Sequence, residues 1–318
     1  MTTETLPRPA HPTTRGTKSK NKPNRQGIRQ KGAIGWIFIS PFLAVFLLFL
    51  VIPLGYALYL SLFTKGLATG TTFSGIDNYV KAFTDPSFLK GAGFVLAFTA
   101  VLVPVQMIVS VAAALVLDEL ASRFARLARL AIFLPYAIPA VIGALMWGFL
   151  YSPTFGPLDG IFGFFGAQAP LLLGPDSIFG SLINVVTWQW AGYYMIIVFA
   201  ALQGIDPSIY EAARLDGANS WQIALRVKLP MVSNALVLIL VFAVIGTLQF
   251  FTEPQILAPV ANGTVTPDFT PNIYAYNLAF TYAQFNYASA ISFALGIVIF
   301  IAVYVFLFFT RKRGSVFA

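Results

Sequence analysis

"FLAVFLLFLVIPLGYALYL", residues 42–60, runs its whole length without a charged side chain. It does not alternate apolar and polar positions, as a strand of a membrane barrel does over about ten residues. Its length matches the ~20 residues a helix needs to cross a bilayer core. In lipid a helix also bonds every backbone group within its own segment. Working outward from this stretch, comparable apolar runs recur along the chain and predict six spans, at 34–62, 92–117, 126–151, 178–203, 233–257 and 287–310. The expected fold is therefore all-α, a polytopic membrane protein of about six transmembrane helices over residues 34–310.

Composition agrees with that reading. The chain has 318 residues, of which 58% are hydrophobic and 10% charged, where a soluble domain carries about one quarter charged residues. The absence of cysteine excludes thiol catalysis, disulfides and iron–sulfur clusters. The single histidine, His11, lies in a polar tail, which argues against histidine-based metal sites or acid–base chemistry. Residues 1–33 are rich in Pro, Thr, Lys, Arg, Asn and Gln and read as a disordered basic tail. A cleaved signal does not fit, because the apolar run that follows is longer than a signal core and lacks a small-residue cleavage pattern. Nucleic-acid binding is disfavoured by the lack of aromatic residues for base stacking, and attraction to anionic lipid is the simpler role.

Charge sets the expected orientation. Of the 20 basic residues, only Lys65, Lys81 and Lys90 fall on one side of a six-span arrangement. The rest lie in the tail, at Arg123, Arg126 and Arg129, at Arg214, Arg226 and Lys228, and at Arg311, Lys312 and Arg313. The positive-inside rule then places both termini, including the tail at 311–318, in the cytoplasm.

One expected cytoplasmic connection, residues 204–232, is longer than joining two spans requires. It contains "EAARLDGANSWQIALRVKLP", residues 211–230. Asp206 suits a helix cap ahead of Pro207, and Ile209, Ala212 and Ala213 share a face. Gly217 suits a left-handed helix end. Ser220 is placed to cap a second short helix with Trp221, Ala224 and Leu225 inward, and Pro230 marks the start of the next span. Helices this short require packing against something else.

The same residues resemble the E-A-A, then G, then L-P signature of permease subunits of binding-protein-dependent ABC importers. The resemblance implies a type I importer permease fold. It also implies that this loop docks into a cleft of a cytoplasmic ATPase. Carried over by position, Glu211, Ala212, Ala213, Asp216, Gly217, Leu229 and Pro230 match the motif, with Val227 where Ile is frequent. "FISPFLAVFLLFLVIPLGYALYLSLF", "GIDNYVKAFTDPSF", "ARLAIFLPYAIPAVIGALMWGFLYSPTFGPLD" and "FNYASAIS" are similar to sugar-type permeases of the maltose, oligosaccharide and glycerol-phosphate branch. "LAPVANGTVTPDFTPNIYAY", residues 257–276, departs from that branch, where a short Gly-Gly-Pro loop is frequent. The Asn262-Gly263-Thr264 triplet within it is read as a chance match to a glycosylation acceptor. The resemblance implies several partners: a second homologous permease subunit, an ATPase dimer that binds ATP and Mg, and an extracytoplasmic solute-binding protein. It implies a sugar-like cargo, a prokaryotic cell membrane, no covalent chemistry and no cofactor in this chain.

The residues themselves point the same way. No span interior carries Lys, Arg, Asp or His, and Glu253 lies near the outer end of its span. Ion-coupled carriers place ionisable groups at membrane depth, so their absence points to another source of energy; an ion-coupled transporter of a small solute is the alternative reading. A membrane enzyme acting on lipid-linked sugars ranks below it, because the acidic residues are scattered. No phosphate-binding loop of the G-x-x-x-x-G-K-[ST] type is present.

Candidate path residues follow from polarity at depth. Gln189 lies roughly 16 Å into the fourth span at about 1.5 Å per residue. Trp188, Trp190, Tyr193 and Tyr194 surround it, and aromatic faces beside an amide suit a sugar. Helix packing is an equal reading for this group. Gln249 and Glu253, four apart, form a second cluster, and Gln106 beside Pro104 a weaker third. Trp147 and Tyr151 fit an interfacial belt. Pro135 and Pro139 are expected to kink the third span.

Overall fold

The computed structural model describes residues 25–66, 70–120, 123–153 and 156–312. Most of the expected basic tail, with His11, and the last residues from Arg313 onward lie outside the described residues. The chain divides into two units, Met1–Gly55 and Tyr56–Ala318.

In the first unit, α1 (Arg25–Phe46) leads into a π turn, Leu47–Val51, and then into α2 (Ile52–Ser61), which continues into the second unit. Helix begins at Arg25, so the disordered segment expected over 1–33 gives way to helix before residue 34; a formed helix propagates into adjoining residues at little cost. The π turn has a local cause. A proline ring clashes with the carbonyl four residues before it, and the widened turn ends two residues before Pro53, with the Ile52 amide donating to the Leu47 carbonyl.

The second unit opens with a two-stranded antiparallel hairpin, β1 (Phe63–Gly66) and β2 (Gly70–Phe73), pairing Phe63 with Phe73. The sequence reading contained no strand. α3 (Asp77–Thr84) follows, with Asn78 donating to the Ser61 and Phe63 carbonyls at 2.9 and 3.0 Å. Then come α4 (Pro86–Glu119), α5 (Arg123–Ala137), α6 (Ala140–Leu150), α7 (Pro157–Phe164) and α8 (Ile178–Leu202). The connection carries α9 (Pro207–Leu215), α10 (Ser220–Ile223), a π turn at Ala224–Lys228 and α11 (Leu229–Met231). α12 (Ser233–Leu248), α13 (Thr252–Leu257), α14 (Pro271–Tyr276) and α15 (Phe285–Lys312) complete it.

Among the described residues four helices are long and apolar enough to cross a membrane: Gly35–Ser61, Pro86–Glu119, Ile178–Leu202 and Phe285–Val305. Two bent pairs bring the number to as many as six. The third expected span is one of them, turning by 98° between α5 and α6. The break falls at Ile138–Pro139, since the residue before a proline disfavours helical backbone; Pro135 stays inside α5 without a break. The other pair turns by 72° at Val232, where the connection at 204–232 meets α12. The fifth expected span, 233–257, is also interrupted, between Leu248 and Thr252. Pro254 sits in the first turn of α13 and cannot bond the Phe250 carbonyl, which instead accepts from Thr270 Oγ1 at 3.0 Å.

The core is organised on α4. Its buried residues Val95, Phe98, Leu102, Gln106, Ser110, Ala114 and Leu117 recur every three or four positions, the stripe a helix presents to neighbours. α8 packs along it, and α5 and α12 close the sides. α5 and α8 approach so closely at Gly192 that a Cβ there would collide with the Ile132 carbonyl oxygen. At the start of α4, Asp85 caps the helix through the Ser87 amide and accepts hydrogen bonds from Tyr274 at 2.8 Å and Tyr287 at 2.7 Å. Asn262 and Gly263 both take positive φ, with the Thr264 amide donating to the Ala261 carbonyl at 2.9 Å. The triplet there forms a tight type I′-like turn.

Candidate functional sites: a coupling segment and a membrane cavity

The connection at 204–232 is a chain of capped elements. Asp206 Oδ1 accepts from the Ser208 amide at 2.9 Å, and Pro207 opens α9. α9 is closed off by Gly217, two residues past its last turn, whose φ is +85°. The Ala218 amide donates to the Ala213 carbonyl and the Gly217 amide to the Arg214 carbonyl, both at 3.0 Å; this is the paired bonding of a left-handed helix end. The second cap differs from expectation. Asn219, not Ser220, caps α10, because Gln222 reciprocates its bond and satisfies a second amide.

Burial in this segment also differs from expectation. Trp221 is 71% exposed, Leu225 44% and Leu215 89%. The face of Ile209 and Ala212 is exposed as well, with Ala213 half-buried. Ahead of Val232, which joins the core of the helical body, the buried residues are Ile223 and Lys228. A second π turn, ending two residues before Pro230, puts these two on one face, since its bonds span five residues rather than four. Glu211, Asp216, Gly217 and Pro230 are exposed, and Leu229 is half-buried.

Inside the helical body lies a cavity of about 540 Å³. α8 contributes Trp190, Tyr193 and Tyr194, and α4 contributes Leu102 and Gln106. Tyr136 and Ala140 reach it from either side of the Pro139 break, and Gln249 to Glu253 line it along the break before α13. Tyr136 stacks on Tyr193 at 4.5 Å between ring centroids and meets Trp190 edge-on at 5.5 Å. Gln106 Nε2 donates to the Val186 carbonyl at 3.3 Å, while its Oε1 has no partner. Non-helical backbone at membrane depth is tolerated only where protein or a cavity surrounds it; both breaks meet that condition here.

Of the expected path residues, Tyr193, Tyr194, Gln249 and Glu253 line this cavity. Gln249 and Glu253 do so across a broken helix rather than along one face, because Pro254 ends the regular spacing. Gln189 and Trp188 are not among its lining residues. Gln189 Nε2 donates to the Ile138 carbonyl at 3.1 Å, at the break in the third span. Trp188 packs edge-on against Trp147 at 5.7 Å. Nor do Trp147 and Tyr151 form a belt: Tyr151 is buried, with Asn184 Nδ2 donating to its hydroxyl at 2.6 Å. Tyr136 escaped the sequence reading, although its position between Pro135 and Pro139 was a signal for it.

Comparison with known proteins places this architecture. Residues 110–312 match the family described as binding-protein-dependent transport system inner membrane component. The chain is 33% identical to the lactose transport system permease protein LacF of Rhizobium radiobacter, over 88% of this chain and 94% of that protein. It is 29% identical to the diacetylchitobiose uptake system permease protein NgcF of Streptomyces coelicolor, over 93% of this chain and 87% of that one. A chain in the crystal structure of a bacterial transporter importing the acidic polysaccharide alginate shares the fold, with a TM-score of 0.79 at 22% identity over 91% of this chain and 99% of that one. These matches set aside the ion-coupled carrier and the membrane enzyme. With its broken spans, its capped connection and the match over 110–312, the chain belongs to the membrane-embedded permease components of binding-protein-dependent ABC importers.

Proposed function

We propose that this subunit translocates a sugar or oligosaccharide across a prokaryotic cell membrane. An extracytoplasmic binding protein delivers the cargo, and a second homologous permease subunit completes the pathway. ATP and Mg are bound by a separate cytoplasmic ATPase dimer, and this chain holds no cofactor. Both termini face the cytoplasm. Closure of the ATPase dimer pushes the 207–228 segment through Glu211, Ala212, Ala213, Asp216 and Gly217, while Leu229 and Pro230 begin the return to the membrane.

The cavity carries the cargo assignment. Its volume falls within the roughly 300–1,000 Å³ of small-molecule sites. Tyr136, Trp190, Tyr193 and Tyr194 offer ring faces to the C–H faces of a sugar. Gln106, Gln249 and Glu253 offer polar atoms to its hydroxyls. The names of LacF and NgcF, a lactose and a diacetylchitobiose system, agree with this reading. The test is uptake of labelled lactose, maltose and diacetylchitobiose by cells expressing the full assembly. Trp190→Ala and Gln249→Ala should lower uptake or shift preference among them. Unchanged rates in both variants for every carried sugar would remove these residues from the path.

A further inference from the structure

The coupling segment is continuous in sequence with two spans only, α8 before it and α12 after it. Side chains make a third attachment. Lys228, at the end of the π turn, is 3% exposed. Its ammonium meets Asp118 Oδ2 at 2.7 Å and also Glu119 Oε1, both at the C-terminal end of α4. Gln203, just past α8, donates to the other Asp118 oxygen at 2.7 Å. The same ammonium stands 5.0 Å from the ring centroid of Tyr210, the residue before Glu211 in α9. One charge thus joins both halves of the segment to α4.

Packing does not account for such a cluster. Apolar residues of similar volume stabilise a buried site as well as or better than an ion pair, whose best-attested use is to fix register or act as a switch. Its direction is informative too. α4 packs along α8 and α12 and lines the cavity through Leu102 and Gln106. A displacement delivered at Asp118 therefore travels along one continuous helix to the cavity wall.

We propose that Lys228 is a positioning residue for transport, gripping Asp118 and Glu119 so that movement of the coupling segment is passed directly into α4. The proposal rests on the reading that the 207–228 segment docks an ATPase. Without this grip the segment would still hold the ATPase but would reach α4 only through the neighbouring spans and the apolar packing at its two ends.

The assay is cargo moved per ATP hydrolysed by the complete assembly in lipid vesicles, using whichever labelled disaccharide the wild type carries, beside co-purification of the ATPase. Lys228→Met should retain the ATPase and lose about tenfold in cargo per ATP, within the usual size of coupling between sites. Lys228→Arg should keep the wild-type ratio, and the reversed pair Asp118→Lys with Lys228→Asp should recover most of it. A wild-type ratio in Lys228→Met, or a loss that only tracks lost ATPase, overturns the proposal. So does a Lys228→Arg variant as uncoupled as Lys228→Met. If Lys228→Met does not accumulate, the reversed pair decides: assembled and coupled supports the grip, assembled and uncoupled refutes it. A wild-type subunit that retains no ATPase would refute the docking reading first, and this one with it.

Discussion

A side chain at position 217 must adopt a φ of +85°, which costs an L-residue about 1–2 kcal/mol. Gly217→Val should therefore distort the end of α9 and weaken ATPase co-purification, while membrane insertion stays normal. Gly192 makes a different demand, because a methyl group there meets backbone rather than a side chain that can turn away. Gly192→Ala should cost about 1–3 kcal/mol through overpacking, read as a lower thermal midpoint in detergent. Asp85 titrates below its ordinary value near 3.8: burial acts upward, but the hydroxyls of Tyr287 and Tyr274 and the Ser87 amide outweigh it. A carboxylate with a depressed folded-state value stabilises above its unfolded value and loses that contribution as pH falls through the folded one. The thermal midpoint should accordingly drop as pH is taken below about 4, and Asp85→Asn should blunt the pH dependence. An unaltered dependence in Asp85→Asn would assign the acid sensitivity to other carboxylates.

Elements show where the sequence was readable. Uncharged runs near twenty residues predict spans well because the bilayer penalises every alternative. The cap at Asp206 and the left-handed Gly217 were legible because each rests on a local hydrogen-bond pattern. The breaks in the third and fifth spans were only half legible: Pro139 and Pro254 announced irregularity, but the cavity arises from spans far apart in sequence. For the same reason Gln189, polar at depth, looked like a path residue, although the carbonyl it serves at Ile138 was freed by a break fifty residues earlier. Trp221 was misplaced because an apolar residue on a short helix was assigned to this chain's own core. Its exposure makes it a candidate anchor on a partner. Trp221→Ala should weaken ATPase co-purification by about 2 kcal/mol or more if it is a buried interface anchor. Glu211→Ala should weaken it by about 3–5 kcal/mol if it leaves a buried ATPase cation unpaired. Normal docking by both variants would reduce the segment to a connector.

At the scale of the whole molecule, the charge asymmetry makes a single prediction. A reporter fused after Arg313, or inserted near Ser122, should be active only in the cytoplasm; activity outside at either point would refute the orientation. Helix α4 carries a further consequence. Its 34 residues make a rod of about 51 Å, against a hydrocarbon layer of about 30 Å. A rod longer than its layer adapts to thinner or thicker bilayers by changing tilt. This one cannot tilt freely, because Asp85 is clasped by Tyr274 and Tyr287 at one end and Asp118 by Lys228 at the other. Acyl-chain length thereby becomes a mechanical input: vesicles of short- and long-chain lipid should give different uptake rates from one and the same assembly, and releasing the clasp at Asp85 should flatten that difference.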